Sequence, residues 1–288
     1  MSNCLFAWPD RLLPSATITP ELSGGSWTLP LSNLQDAALG TVARSNGASS
    51  GATQFVITMG TGVVRELRVF AIPDHNMSAG ATIRVRLFLS AALVHDSTAM
   101  AVWPRYYPAE SLASTHESYA DGKLSTEAMT GLRAGWWYAL PTTVRADTIF
   151  VDIVDIDNPS RYVQLNRFIC APAWQPALNM SAGTQTTWVA NTDQIQTLGG
   201  ATWFDRRLPR RSQQITLEAI TTEQAMVWAW EMQRILGTDG ELYFVFDPAD
   251  TCLLMKQRSY LATVRQLSAI EYPYHNSNKT ALELIEKL

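Results

Sequence analysis

"VFAIPDHNMSAGATIRVRLF", residues 69–88, places two strand-like runs on either side of an Asp-His-Asn triplet. In the second run Ile83, Val85, Leu87 and Leu89 alternate with Thr82, Arg84, Arg86 and Phe88. A strand turns successive side chains to opposite faces, so this spacing predicts one buried face. The first run belongs to "GVVRELRVFAI" (62–72), where Val64, Leu67, Val69 and Ala71 mix with Arg65, Glu66 and Arg68 at nearly the same period. Gly-Thr-Gly separates it from "TQFVITMG" (53–60), a turn between two β-rich segments. Further on, "DTIFVDIVDID" (147–157) sets Ile149, Val151 and Ile153 against Phe150, Asp152 and Val154. Short strands joined by Gly, Pro, Asn and Ser turns predict a mostly β fold, with a jelly-roll sandwich over residues 1–172. The irregular stretch 91–137 is expected to form long loops at one end of it.

After a connecting segment, 173–200, poor in charge and rich in Pro, Asn, Thr and Gly, the pattern changes. "RRSQQITLEAI" (210–220) reads as a strand, and "TTEQAMVWAWEMQRILGTDG" (221–240) as an amphipathic helix over 222–236. Thr221 and Gln224 stand at capping-box spacing, Glu223 suits the positive end of the helix dipole, and Gly237 can close the helix. Ala225, Trp228, Ala229, Met232, Ile235 and Leu236 form the expected core stripe. Val227 and Trp230 make a second apolar edge, which a helix packed on one side would not need. Strands are expected at 241–247, 260–272 and 279–288, the last placing Leu282, Leu284, Glu286 and Leu288 on one face. Residues 201–288 therefore read as a small β domain carrying one helix.

The chain has 288 residues, which favours two domains over one. Hydrophobic residues make up 47% and charged ones 17%, a balance suited to a surface partly covered by neighbours. A formal net charge of −4 gives no electrostatic reason for nucleic-acid binding. Cys4, Cys170 and Cys252 are too far apart for a zinc spacing or a disulfide framework, so reduced thiols are expected. No signal-peptide pattern and no apolar run of about 18 residues appears, so synthesis and folding in a cytoplasm are expected, with no membrane segment.

The combination "SNLQD" (32–36), "VARS" (42–45), the 69–88 stretch, "LGGATWFDRR" (198–207) and the closing "WEMQRILGTDGELYFVFDP…YLATVRQLSAIEY…TALELIEKL" resembles the distal tail proteins of long-tailed, siphovirus-like bacteriophages. In them a galactose-binding-like jelly roll accompanies a tail-tube-like β domain; here the tube-like domain comes last. The resemblance implies a non-enzymatic component of the virion's tail tip or baseplate, assembled in the host cytoplasm. It implies a homohexameric ring around a lumen, with tail tube, tape-measure and tail-tip hub proteins as partners. It implies neither a cofactor nor sequence-specific contact with nucleic acid. Val227, Trp230, Arg234 and Tyr243 are the expected ring interface. The alternative is a carbohydrate-binding receptor-recognition module.

Four constellations could carry chemistry. Asp74, His75 and Asn76 are adjacent in one turn, where they rarely converge on one reacting atom, and they are expected to join strands or touch a partner. Asp152, Asp155, Asp157 and Asn158 depart from a calcium loop, with Ser160 in place of its glycine and Asn166 in place of its bidentate Glu; calcium is left open. Trp103, Tyr106, Tyr107, Trp136, Trp137 and Tyr138 could be core, subunit interface or a sugar-stacking platform. Arg206, Arg207, Arg210 and Arg211 are expected to pair with a neighbour's carboxylates or stay solvated. His95, His116 and His275 have no metal-ligand spacing.

Overall fold

In a computed structural model the described residues are all except 1, 13–14, 22–24, 50, 109–110, 117, 120–121, 125–132, 134 and 198, and the side chains of 252 and 253. The chain divides into two compact units. One, the sandwich unit, comprises Ala7–Ala173 and Pro248–Tyr260; the other comprises Met1–Phe6, Trp174–Asp247 and Leu261–Leu288.

The fold is mostly β, as the alternation predicts. A six-stranded sheet of the sandwich unit runs in the order Thr17–Pro20, Phe55–Thr58, Thr148–Val154, Thr82–Leu89, Ala92–Asp96, with Met100–Ala101 also paired to Thr82–Leu89. The central antiparallel pair aligns Ile153 with Ile83, Val151 with Val85 and Ile149 with Leu87, and all six side chains are fully buried. Cross-strand apolar pairs of this kind are the unit of sheet stability. The other face carries the charges: Arg84 pairs with Asp96, Arg86 with Asp152, and Phe88 meets Phe150 edge-on at 4.9 Å between ring centroids.

A second sheet joins Trp136–Ala146, Arg65–Ile72 and Ile169–Ala171; a third joins Gln164–Leu165, Ala43–Ser45 and Trp27–Leu29. Leu67, Phe70, Ile72, Trp136 and Phe168 share one core with the inner face of the six-stranded sheet. From Val69 to Ile72 the strand is buried on both faces, so the alternation expected there gives way to a continuous apolar run.

In the second unit the sheet order is Ala173–Trp174, Leu5–Ala7, Glu241–Val245, Tyr260–Gln266, Ser277–Glu286, Arg210–Ile220, Gln185–Val189, with Glu271–Tyr274 also on Ser277–Glu286. The division differs from the boundaries 1–172, 173–200 and 201–288 in three places, the first being that residues 174–200, expected to connect, belong to the second unit and give its sheet the strand Gln185–Val189. The opening residues go with the later half, because Phe6 finds Trp174 and Phe244 at 5.5 and 5.4 Å. Residues 248–260, which carry an unanticipated helix, Cys252–Arg258, go with the sandwich unit.

Helix 222–236 starts as expected, with the Gln224 amide donating to the Thr221 hydroxyl at 3.2 Å, and ends at Gly237, whose φ of +53° favours glycine. Its middle, Ala225–Trp230, is π-wound. The buried stripe is Ala225, Ala229, Met232 and Leu236. Trp228 and Ile235, expected in that stripe, are 38% and 48% exposed. Two alanines make the contact stripe narrow, and its flanking bulky side chains turn outward.

Glu286 lies where the alternation of 282–288 puts it, on the buried face, and is 2% exposed. The Arg211 guanidinium pairs with it, and the Arg211 amide donates to its Oε2 at 3.0 Å. A buried ion pair costs desolvation on both sides, and removing one partner strands the other. Arg211→Met is therefore expected to lower unfolding free energy by about 3–5 kcal/mol in a denaturant titration, and Arg211→Met/Glu286→Leu to recover most of it.

Candidate functional site

The Asp74–Asn76 connection is a structural joint. The Asn76 side chain donates to the Tyr162 carbonyl at 3.0 Å and accepts from the Gln164 amide at 2.6 Å. Its own amide donates to the Gln164 carbonyl at 3.2 Å. The Asp74 carboxylate caps the His75 amide at 3.0 Å, and the Asp74 amide donates to Asn166 Oδ1 at 3.1 Å. His75 is buried, and its Nδ1 accepts from the Met77 amide at 3.1 Å. That bond leaves the proton on Nε2, and the ring stands edge-on to Trp103 at 6.0 Å. Burial, with the Lys256 charge in support, holds His75 well below the ordinary histidine range. The three side chains thus point to three separate tasks rather than to one reacting atom.

The carboxylates behind the calcium question are also spent separately. Asp152 is bound by Arg86, and Asp157 is exposed. Asp155 is buried, accepting from the Ser78 amide at 3.0 Å and the Asn158 side chain at 2.6 Å. Among the described residues no three His, Cys, Asp or Glu side chains gather around a common point. Cys4 and Cys170 are buried free thiols, and burial pushes Cys4 up to about 12. The side chain of Cys252 lies outside the described residues.

Of the aromatic group, Trp103, Trp136 and Trp137 are 5%, 2% and 4% exposed. They are core, so they present no open face to a sugar or a subunit. Trp103 Nε1 donates to the Met77 carbonyl at 2.9 Å and Trp137 Nε1 to the Met255 carbonyl at 3.0 Å. Lys256 places its Nζ 3.9 Å from the centre of the Trp103 ring and donates to the Gly135 carbonyl at 2.7 Å. Tyr106 and Tyr107 are half-buried, 5.0 Å apart, and their amides share the Gly122 carbonyl.

Of the expected ring interface, Tyr243 is only 2% exposed and belongs to the core of its unit, where burial raises its phenol above the ordinary range. Its neighbours on Glu241–Val245 alternate no further than Leu242 and Phe244, which are also buried, so this strand is covered on both faces. Val227 and Trp230 are each 54% exposed, and Arg234 is exposed and paired with Glu231. Of the arginine run, Arg211 is occupied within the chain by Glu286, and Arg207 bridges Asp193 and Asp205 at 3.0 and 3.2 Å.

A group of open apolar side chains spans the end of the segment read as a connection, 173–200, and the start of the domain after it. Gln185–Val189 pairs antiparallel with the start of Arg210–Ile220, Val189 opposite Arg210. Asp193–Gln196 then pairs with Thr202–Asp205, Asp193 opposite Asp205. The first pairing is the edge of the large sheet and the second is a separate two-stranded hairpin, reached through the unpaired residues 190–192 and 206–209. Gly200, at φ +81°, and the Thr197 amide donating to the Ala201 carbonyl at 2.9 Å close its tip. Ile195 and Trp203 are cross-strand neighbours on one face, and Phe204 lies on the other. Their exposures are 63%, 69% and 56%, and Trp188 on the edge strand reaches 64%. We call residues 193–205 the arm. The signal in the sequence was "DQIQTLGGATWFD": two short runs around Gly-Gly, a hairpin pattern.

No family model and no curated protein matches the chain. Solved structures do. CBM32-1 from a family 31 glycoside hydrolase from Clostridium perfringens matches with TM-score 0.33 and 10% identity over 55% of this chain and 95% of that one. The family 32 CBM from C. perfringens NanJ in complex with galactose matches with TM-score 0.35 and 13% identity over 58% and 99%. A family 89 glycoside hydrolase from C. perfringens matches with TM-score 0.35 and 13% identity over 58% of this chain and 16% of its own. Likeness at this level says nothing of what this chain binds.

Burial lowers Lys256 from its ordinary 10.5 to about 7. The Trp103 face opposes that push by favouring the ammonium. Below about 7 the folded state must carry a desolvated charge; between 7 and 10.5 it sheds a proton that the unfolded chain keeps, so stability rises with pH. The melting temperature of the sandwich unit within the full chain is expected to climb over this window, and Lys256→Met to flatten the climb; equal slopes in both proteins would assign the titration elsewhere.

Proposed function

We propose that the chain is a non-enzymatic structural subunit that joins copies of itself through its second unit, in the role of a distal tail protein at the tip of a long-tailed phage. The observation that supports self-association is the arm. An isolated two-stranded hairpin is marginal in water, and this one exposes large apolar side chains on both faces. Exposed apolar patches of this kind mark surfaces made to be covered. Gln185–Val189, beside it, is the last strand of its sheet, with exposed side chains and an open edge. The tail-tip role itself rests on the sequence resemblance. Under it the ring, a hexamer, continues the tail tube around the tape-measure protein, and the sandwich unit faces the hub proteins of the tip.

Replacing residues 193–205 with a Gly-Gly turn is expected to convert a multi-subunit species into a monomer in sedimentation velocity, with unchanged far-ultraviolet circular dichroism. A wild-type chain that sediments as a monomer at every accessible concentration would contradict the proposal.

The second reading gives the sandwich unit a glycan, as the galactose complex of the NanJ module shows for that protein. Of the six aromatics considered for stacking, Tyr106, Tyr107 and Tyr138 are partly open here, whereas the three tryptophans are not. On this reading a glycan array gives a signal that Tyr107→Ala removes, while Trp136→Ala acts on the melting temperature; a blank array with the wild-type chain rules it out.

A further inference from the structure

We propose that the arm of one copy lies along the outward face of helix 222–236 in the next, with Ile195 and Trp203 set against Val227 and Trp230. The inference rests on the self-association reading and goes beyond it by naming both halves of the contact. A ring is closed by heterologous contacts, in which each subunit offers two different, complementary patches. The second unit has two such patches that fit one another.

The first is the arm, apolar on both faces. The second is the helix. Its inner stripe, Ala225, Ala229, Met232 and Leu236, is buried within its own unit, while Val227 and Trp230 are each 54% exposed. Tryptophans are the side chains most often found at the energetic centre of an interface, and each patch has one.

Length and charge agree. Each strand of the arm, Asp193–Gln196 and Thr202–Asp205, spans about 13 Å at the rise of a strand, and helix 222–236 is longer, about 20 Å, so the arm can lie along it. At the base of the arm Arg206 is exposed and has no ion pair among the described residues, unlike Arg207, which is held by Asp193 and Asp205. At the start of the helix Glu223 is exposed and likewise has none, unlike Glu231, which is held by Arg234. One unpaired cation on the first patch and one unpaired anion on the second give the contact a direction. The arm's own helix is not the seat, since the arm's apolar side chains are open on both faces within the chain.

Charge reversal tests the pairing. Arg206→Glu and Glu223→Arg alone are each expected to weaken self-association roughly fivefold at low ionic strength, and the two together in one chain to restore it to within about twofold. A second measurement fixes the geometry without relying on that energy. Ala201→Cys, at the tip of the arm in step with Trp203, and Val227→Cys chains are prepared separately, mixed, and treated with a short bismaleimide. A cross-linked pair that forms in the mixture, and not in either preparation alone, supports the seat. If the chains assemble, with no cross-link in the mixture and additive losses in the double reversal, the arm seats elsewhere and the proposal is overturned while self-association stands. A wild-type chain that never assembles overturns both.

Discussion

A β-strand has two faces, and the energetics of this protein follow from what each strand finds to put against them. In the pair Thr82–Leu89 and Thr148–Val154 the answer is complete. Ile83, Val85 and Leu87 meet Ile153, Val151 and Ile149 on the inner side, and on the outer side Arg86 meets Asp152 beside two phenylalanines. Apolar area leaves water at about 25 cal/mol per Å2, and no polar group is stranded in the exchange. The rest of the sandwich is arranged around that inner face: the Arg65–Ile72 strand closes over it, and the Asp74–Asn76 connection ties the closing sheet to residues 162–166 through hydrogen bonds.

The second unit obeys the same rule until it reaches the arm. Leu282 and Leu284 go inward, the helix turns inward a stripe half made of alanine, and even Glu286 finds Arg211. Past Val189 the sheet ends, and on the hairpin that follows Ile195, Trp203 and Phe204 are more than half exposed. A ribbon one hairpin wide has no interior. The same side chains that would stabilise a sheet are there a cost, unless another surface takes them up. The exposed Trp230 and Val227 pose the same problem on the helix, and a contact between the two relieves both.

How much of this was legible in the sequence depended on whether a local period matched the local environment. Ile83 to Leu87 and Ile149 to Ile153 alternate cleanly because one face is core and the other solvent. The cap at Thr221 and the stop at Gly237 were legible because they are set by backbone needs within one turn. Spacing alone puts Trp228 and Ile235 inside; the buried stripe is narrower than that spacing allows, and both stand at its exposed margin. The second apolar edge of the helix is what put Tyr243 and its strand at an interface, and that strand is covered on both faces. The three tryptophans at 103, 136 and 137 were ambiguous, since the chemistry that suits a sugar face also suits a core. Residues 193–200 of the arm read as a connection and 201–205 as the opening of the next domain, because four-residue strands are too short to show a period; the seven residues of helix Cys252–Arg258 are little longer. That Leu5–Ala7 pairs beside Glu241–Val245 is a long-range choice that no local pattern encodes.

The central claim is that the second unit closes copies of this chain into a ring. Negative-stain electron microscopy of the purified full-length protein tests it directly. The account predicts particles with a closed rotational outline around an open lumen, six copies if the resemblance to distal tail proteins holds in full. A field of isolated monomers, or of twofold dimers without a lumen, would contradict it.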